Sequence, residues 1–224
     1  MPLADGGEGT LEVIQQLHGG AWISVDTFDP LMRPIQADYL YLADQKTAYI
    51  EMARASGLAL LNAEERNPLK TSTFGTGILI ADALHRGASQ IILTIGGSAT
   101  NDAGIGMAAA LGWKFLDAKG LELAPTGENL IQIASVSSEE LAPCAFTVVT
   151  DVANPLAGPT GAAHVFAAQK GASATAIKQL DKCLNNIASF FGSLASEPGA
   201  GAAGGLGAGA LYFLKAKLSL VPAG

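Results

Sequence analysis

The sequence predicts an α/β fold with a mixed, largely parallel sheet and flanking helices. Apolar runs of strand length alternate with helix-length patterns, the order of parallel α/β proteins. Gln90 to Ile95 (QIILTI) is a nearly continuous apolar run between Gly87 and Gly96. Phe146 to Thr150 (FTVVT) is a second, again followed by a polar turn. Strands covered on both faces read this way, whereas half-exposed strands alternate.

Each element follows in order. Thr10 to Leu17 has a helical pattern stopped by Gly19-Gly20. Trp22 to Val25 and Ile35 to Leu42 read as strands around a turn containing Asp29-Pro30 and Pro34. Thr47 to Ile50 is a short strand running into Glu51. Gly77 to Arg86 is a helix ended by Gly87, and Ile105 to Leu111 is the helix that follows the polar loop after Ile95. Ala174 to Phe191 is the longest amphipathic helix. No internal repeat or linker divides the chain, so residues 1–224 read as one α/β unit.

Composition excludes several classes. With 49% hydrophobic and 15% charged residues the chain is not disordered. Its 27 glycines have no three-residue period, which excludes collagen. A net charge of −7 argues against a nucleic-acid partner. Cys144 and Cys183 form no C-x-x-C and read as small buried side chains in a reducing cytosol. The first residues show no signal peptide. Pro198 to Leu214 is uncharged, but its apolar bulk is too thin for a membrane span. The expectation is a soluble, cytoplasmic protein.

Five motifs could carry chemistry. Gly96 to Gly104 (GGSATNDAG) lies between a strand's carboxyl end and a helix's amino end, where open α/β sheets bind ligands and where N–H groups favour an anion. Ser98, Thr100 and Asn101 add donors and Asp102 a carboxylate; the same pattern suits a polar turn with Asp102 as helix cap. Asp151, after the strand Phe146 to Thr150, suits a catalytic acid or metal ligand, or an Asx-turn. In Asp5-Gly6-Gly7-Glu8, two carboxylates flank a flexible pair of glycines ahead of a helix. Thr71 to Gly77 (TSTFGTG) could cradle an oxyanion through Thr73 and Thr76, or cap the helix it opens. Gly199 to Gly204 matches G-x-G-x-x-G, but Pro198 precedes it and no acidic residue follows Glu197. Those glycines read as sites of close backbone approach at a packed helix, not as a dinucleotide site. His18, His85 and His164 are isolated, and no zinc or hydrolase-triad pattern is present.

Taken together, these motifs resemble the type I glycerate kinases. The matching stretches are Pro2 to Thr10 (PLADGGEGT), Glu51 to Leu58 (EMARASGL), Gly96 to Gly106 (GGSATNDAGIG), Asp151 to Ala172 and Gly199 to Gly205 (GAGAAGG), with Asn67-Pro68-Leu69 and Thr73 to Gly77 between them. The resemblance implies ATP-dependent phosphorylation of D-glycerate, with 2-phosphoglycerate the favoured product, and a fold of two α/β lobes of which this chain is similar to the central part. Family members carry further segments at both ends, resembling APDSFKGSLSA and GEGRxDxQTxxGK. The second reading is therefore a catalytically inactive kinase-derived fragment that binds a small anion or a partner chain. Apolar surface is expected to drive self-association.

Phosphoryl transfer needs positioning, a cation on the phosphates and Mg²⁺ held by oxygens. The resemblance and the motifs together nominate Asp102, Asp151 and Lys170 as catalytic, with Asp151 or Asp102 on Mg²⁺. Gly97, Ser98, Thr100, Asn101, Asp5, Glu8, Glu51 and Asn154 are expected on the substrate. Lys170 is the best-placed cation by the family pattern, with an exposed, solvated lysine as the alternative.

Overall fold

The computed structural model describes residues 9–137 and 141–221. Asp5 and Glu8 lie outside the described residues. A six-stranded sheet runs in the order β1 (Ala21–Phe28), β2 (Pro34–Leu42), β3 (Thr47–Glu51), β4 (Gln90–Thr94), β7 (Ala145–Thr150) and β8 (Lys217–Leu220). The β1–β2 and β2–β3 pairs are antiparallel; β3–β4, β4–β7 and β7–β8 are parallel. The sheet is thus mixed and largely parallel, as the apolar runs predict. β5 (Lys114–Leu116) and β6 (Ser135–Ser137) form a separate antiparallel pair.

The two runs singled out as buried strands are β4 and β7, adjacent in the middle of the sheet. Ile50, Ile91 and Val148 on β3, β4 and β7 are fully buried. Each such aliphatic side chain contributes roughly 2 kcal/mol relative to its exposed form. Among the described residues, seven helices flank the sheet: α1 (Thr10–His18), α2 (Ala53–Ser56), α3 (Phe74–His85), α4 (Ile105–Ala110), α5 (Ala162–Phe166), α6 (Ala174–Phe191) and α7 (Ala202–Phe213).

α6 has the bounds its periodicity predicts. Ser173 caps it by accepting from the Ala176 N–H at 3.2 Å. Leu180, Cys183, Leu184, Ile187 and Phe191 recur at helical spacing and are buried. Phe191 reaches an aromatic cluster with Trp113, Phe115, Tyr212 and Phe213, whose rings sit 4.9 to 6.1 Å apart. This cluster joins α6 and α7 to the chain leaving α4. Cys183 is buried, as expected, while Cys144 is half-buried.

Several elements differ from the sequence reading. α3 begins at Phe74, three residues before Gly77, because Thr73 and its neighbours are held by α4. α7 falls on the glycine run that was read only as a close approach at a packed helix, and α2, α5, β5, β6 and β8 lie where no regular element was expected. α7 opens with Ala203, Gly204 and Gly205 in left-handed conformation, so its regular helix starts only after them. Among the described residues, no helix is long and apolar enough to cross a membrane.

Candidate functional site

Two parallel strands that end side by side leave a crevice at their carboxyl ends. Here β4 and β7 form it. The chain leaves β4 through Ile95, whose N–H donates to the Val149 carbonyl at 3.3 Å, and turns at Gly97, where φ is +71°. The loop is then clamped from both sides. Leu58 N–H donates to Gly97 O at 2.8 Å and Ala99 N–H to Ser56 O at 2.9 Å. On the other side Ala103 N–H donates to Gly204 O at 3.1 Å. A Cβ on Gly204 would lie 2.0 Å from the Thr100 carbonyl oxygen, so only glycine lets α7 approach this closely. The glycine run thus braces the loop, the close backbone approach that its sequence suggests.

The crevice is a cavity of about 250 Å³ lined by Gly97, Ser98, Asp151, Gln169, Lys170 and Ala203, among others. Lys170 ends a short 3₁₀ turn, Ala168–Lys170, and is only 2% exposed. Its Nζ donates to Ser98 Oγ at 2.6 Å and to the Thr100 carbonyl at 2.7 Å. Burial pulls the Lys170 ammonium down to about 7, against the opposing charge of Asp102. The solvated-lysine alternative therefore does not describe this residue. Asp151 is exposed at the cavity wall, its carboxylate the one acidic group among the described lining residues. Among the described residues, the N–H groups of Gly96, Gly97 and Ser98 donate to no backbone carbonyl. Lys170, the Ser98 hydroxyl and these amides make a wall rich in donors, which suits phosphate or carboxylate oxygens.

The other expected residues are placed differently. Asp102 is fully buried and is not a lining residue of the cavity. Its Oδ2 accepts from Thr73 N at 2.7 Å, Thr73 Oγ1 at 2.8 Å and Gly106 N at 3.2 Å, and its Oδ1 from Gly104 N at 3.1 Å. Burial pushes its carboxyl above the ordinary range, opposed by those bonds. With its oxygens engaged in this way, a role on substrate or Mg²⁺ does not fit Asp102; it caps α4 and ties it to α3. Thr73 and Thr76 are likewise fully buried. Thr73 Oγ1 also accepts from Met107 N at 2.9 Å, and Thr76 Oγ1 pairs with Ser56 Oγ at 2.7 Å. Both threonines therefore pack inward, with their hydroxyls bonded within the protein.

Glu51 is 2% exposed and accepts from Leu11 N at 3.1 Å and Arg54 Nε at 2.7 Å. It receives the start of α1 and an arginine, and faces a shallow cleft separate from the Lys170 cavity. Asn154 donates to Thr160 O at 2.8 Å and closes its own loop. Thr100 and Asn101 are fully buried in the clamped loop. Thr100 Oγ1 and both amide atoms of Asn101 have no hydrogen-bond partner among the described residues, a costly arrangement for groups so buried.

Leu58, Phe166, Gln169 and Ala203 also line the cavity and were not singled out. The signal for Gln169 was its place beside Lys170, and for Ala203 the small-residue run that must approach the loop.

Among the described residues no three His, Cys, Asp or Glu gather into a ready metal cluster. Magnesium usually takes one or two carboxylates and completes its shell with water and substrate phosphates. Asp151 fits that donor set and Asp102 does not. The cavity is smaller than the roughly 300–1,000 Å³ of drug-sized ligand sites, so its size suits a small anion.

Known proteins are similar to this chain in sequence and fold. The profile described as Glycerate kinase family matches residues 1–221. A glycerate kinase from Halalkalibacterium halodurans is 47% identical over 97% of this chain and 60% of its own length. The glycerate 2-kinase of Escherichia coli (strain K12) is 45% identical with the same coverage. A crystal structure of a glycerate kinase 2 candidate from Salmonella typhimurium LT2 superposes with a TM-score of 0.93 at 42% identity, over 97% of this chain and 61% of that one. The chain belongs to the glycerate kinase family. It spans about 60% of the length of these curated relatives.

Proposed function

We propose that this protein phosphorylates D-glycerate with ATP and Mg²⁺, and that the cavity between β4 and β7 is where the phosphoryl group is transferred. The observation that carries the reading is the buried Lys170, held 2.6 Å from Ser98 Oγ in a cavity that Asp151 also lines. Phosphoryl transfer asks for positioning and charge neutralisation more than covalent chemistry from the protein. Lys170, the Ser98 hydroxyl and the amides of Gly96 and Gly97 would bind and orient anionic oxygens. Asp151 would hold Mg²⁺. Bound Mg²⁺ supplies charge neutralisation on the phosphates. Burial of Lys170 keeps water from screening its charge, so each interaction counts for more than at the surface.

The favoured product is 2-phosphoglycerate, in line with the glycerate 2-kinase relative. The unpaired thiols of Cys144 and Cys183 support a reducing, cytoplasmic setting. Exposed Leu17 and Trp22 would mediate self-association. Phosphorus NMR of a reaction containing D-glycerate, Mg²⁺ and ATP tests the reading: a glycerate-dependent 2-phosphoglycerate signal supports it, and its absence rejects it.

A second reading, an anion-binding module without turnover, is favoured by one observation. Of the carboxylates nominated for metal or proton chemistry within the described residues, Asp151 alone reaches the cavity. Saturable phosphate binding without ADP release would support it.

A further inference from the structure

We propose that Ser98 is a nucleophile toward phosphorus electrophiles, with Lys170 as the base that takes its proton. The inference goes beyond glycerate phosphorylation and holds with or without it. Ser98 Oγ and Lys170 Nζ lie 2.6 Å apart, within reach for direct proton transfer. Both line the cavity, where Ser98 keeps 7% of its surface exposed and Lys170 2%. Among the described residues Lys170 makes no ion pair; its bonds go to a hydroxyl and a carbonyl. A buried ammonium locked against a carboxylate would stay charged, whereas this one has no such anchor.

The two bonds are also compatible with both protonation states. A charged Lys170 donates to Ser98 Oγ and to Thr100 O. A neutral one still donates to Thr100 O and accepts the Ser98 O–H with its lone pair. Burial brings the amine into the range where it is neutral at mildly alkaline pH. The charged group acting on it is Asp102, whose field favours the ammonium; Asp151 lines the same cavity. Gly96 and Gly97, whose N–H groups donate to no backbone carbonyl among the described residues, line the same cavity and suit the oxygen that gains charge during attack.

The reactive class is an activated phosphoryl compound. With a fluorophosphonate, the Ser98 Oγ–P bond forms, the P–F bond breaks, fluoride leaves, and the hydroxyl proton passes to Lys170 Nζ. The test uses that probe on the purified protein, without ATP or glycerate, so it is independent of the kinase reading. Intact-mass and peptide-mass spectrometry follow adduct formation from pH 6 to 9. The expected result is one adduct on Ser98, with a rate that rises through a midpoint at about pH 7. The adduct should be absent in Ser98→Ala. Labelling should slow about 100-fold or more in Lys170→Met and in Lys170→Arg, the scale of a lost general base. Lys170→Arg keeps a cation but cannot release a proton, and a melting curve confirms which variants are folded. No adduct on Ser98, a wild-type rate flat between pH 6 and 9, or a folded lysine variant that labels at the wild-type rate would each overturn the proposal.

Discussion

Asp102 and Thr73 are joined by two hydrogen bonds to one oxygen: Asp102 Oδ2 accepts the Thr73 N–H at 2.7 Å and its hydroxyl at 2.8 Å. This pair couples the start of α3 to the start of α4 and fixes the far end of the loop that carries Ser98. Asp102→Asn replaces one acceptor oxygen with a donor that must face an N–H. Leaving buried donors unpaired in such a network costs about 2–4 kcal/mol. At roughly 2–4 °C per kcal/mol for a chain of this size, the melting midpoint should fall by about 5–15 °C. Thermal unfolding followed by circular dichroism checks this; an unchanged midpoint would show that Asp102 is no brace.

The brace on the opposite side is Gly204. A methyl there would sit 2.0 Å from Thr100 O and 2.6 Å from Asn101 Cα. Gly204→Ala should cost about 3 kcal/mol, the upper range for overpacking, and should weaken phosphate binding in the cavity by displacing the loop. Denaturant unfolding and phosphate titration calorimetry measure the two effects.

Ala203 stands in left-handed backbone at φ 51° and is half-buried on the cavity wall. Non-glycine residues carry a penalty of roughly 1–2 kcal/mol there. Glycine also loses more entropy on folding, about 0.5–1 kcal/mol. Ala203→Gly should therefore stabilise the fold by about 0.5–1 kcal/mol, read as a higher denaturant midpoint with an unchanged slope. Ala103 shares the conformation at φ 53° but its methyl is fully buried, so the same change there should gain less.

Lys170 should leave a signature in the pH dependence of stability. Its pKa is lowered from 10.5 in the unfolded chain to about 7 in the fold. Between those values the native state binds fewer protons than the unfolded state, so its contribution to stability rises with pH. The cost of burying the ammonium is complete below about pH 7, falls from there to 10.5, and is gone above. The melting midpoint of the wild type relative to Lys170→Met should therefore climb between pH 7 and 9.5. A difference independent of pH would show that Lys170 is not buried as described.

The sheet was legible because its central strands leave little choice. QIILTI and FTVVT are dominated by Ile, Leu, Val and Phe and carry no charged residue to place at a surface, and they became β4 and β7. α6 was legible to the residue because a capping serine and a regular apolar stripe coincide. α7 was not legible, since glycines that break ordinary helices are here what lets it approach the loop. The cavity was legible only by position. A carboxylate at a strand's end or ahead of a helix looks the same in sequence whether it faces ligand or folds back on amides, and Glu51 and Asp102 do the latter. The family pattern marked Lys170 as a cation of the site, but lysine is almost never fully buried, so its burial against Ser98 was not legible.

The most direct test of the cavity's role is the rate of glycerate-dependent ADP release by the wild type and by Asp151→Asn. Asp151 is exposed, so the substitution should leave the melting midpoint unchanged. The predicted result is wild-type turnover in the ordinary range of roughly 1–1,000 per second, reduced at least about 100-fold in Asp151→Asn through the loss of metal-assisted charge neutralisation. Wild-type turnover retained in Asp151→Asn, or no glycerate-dependent ADP release from the wild type, would contradict the account.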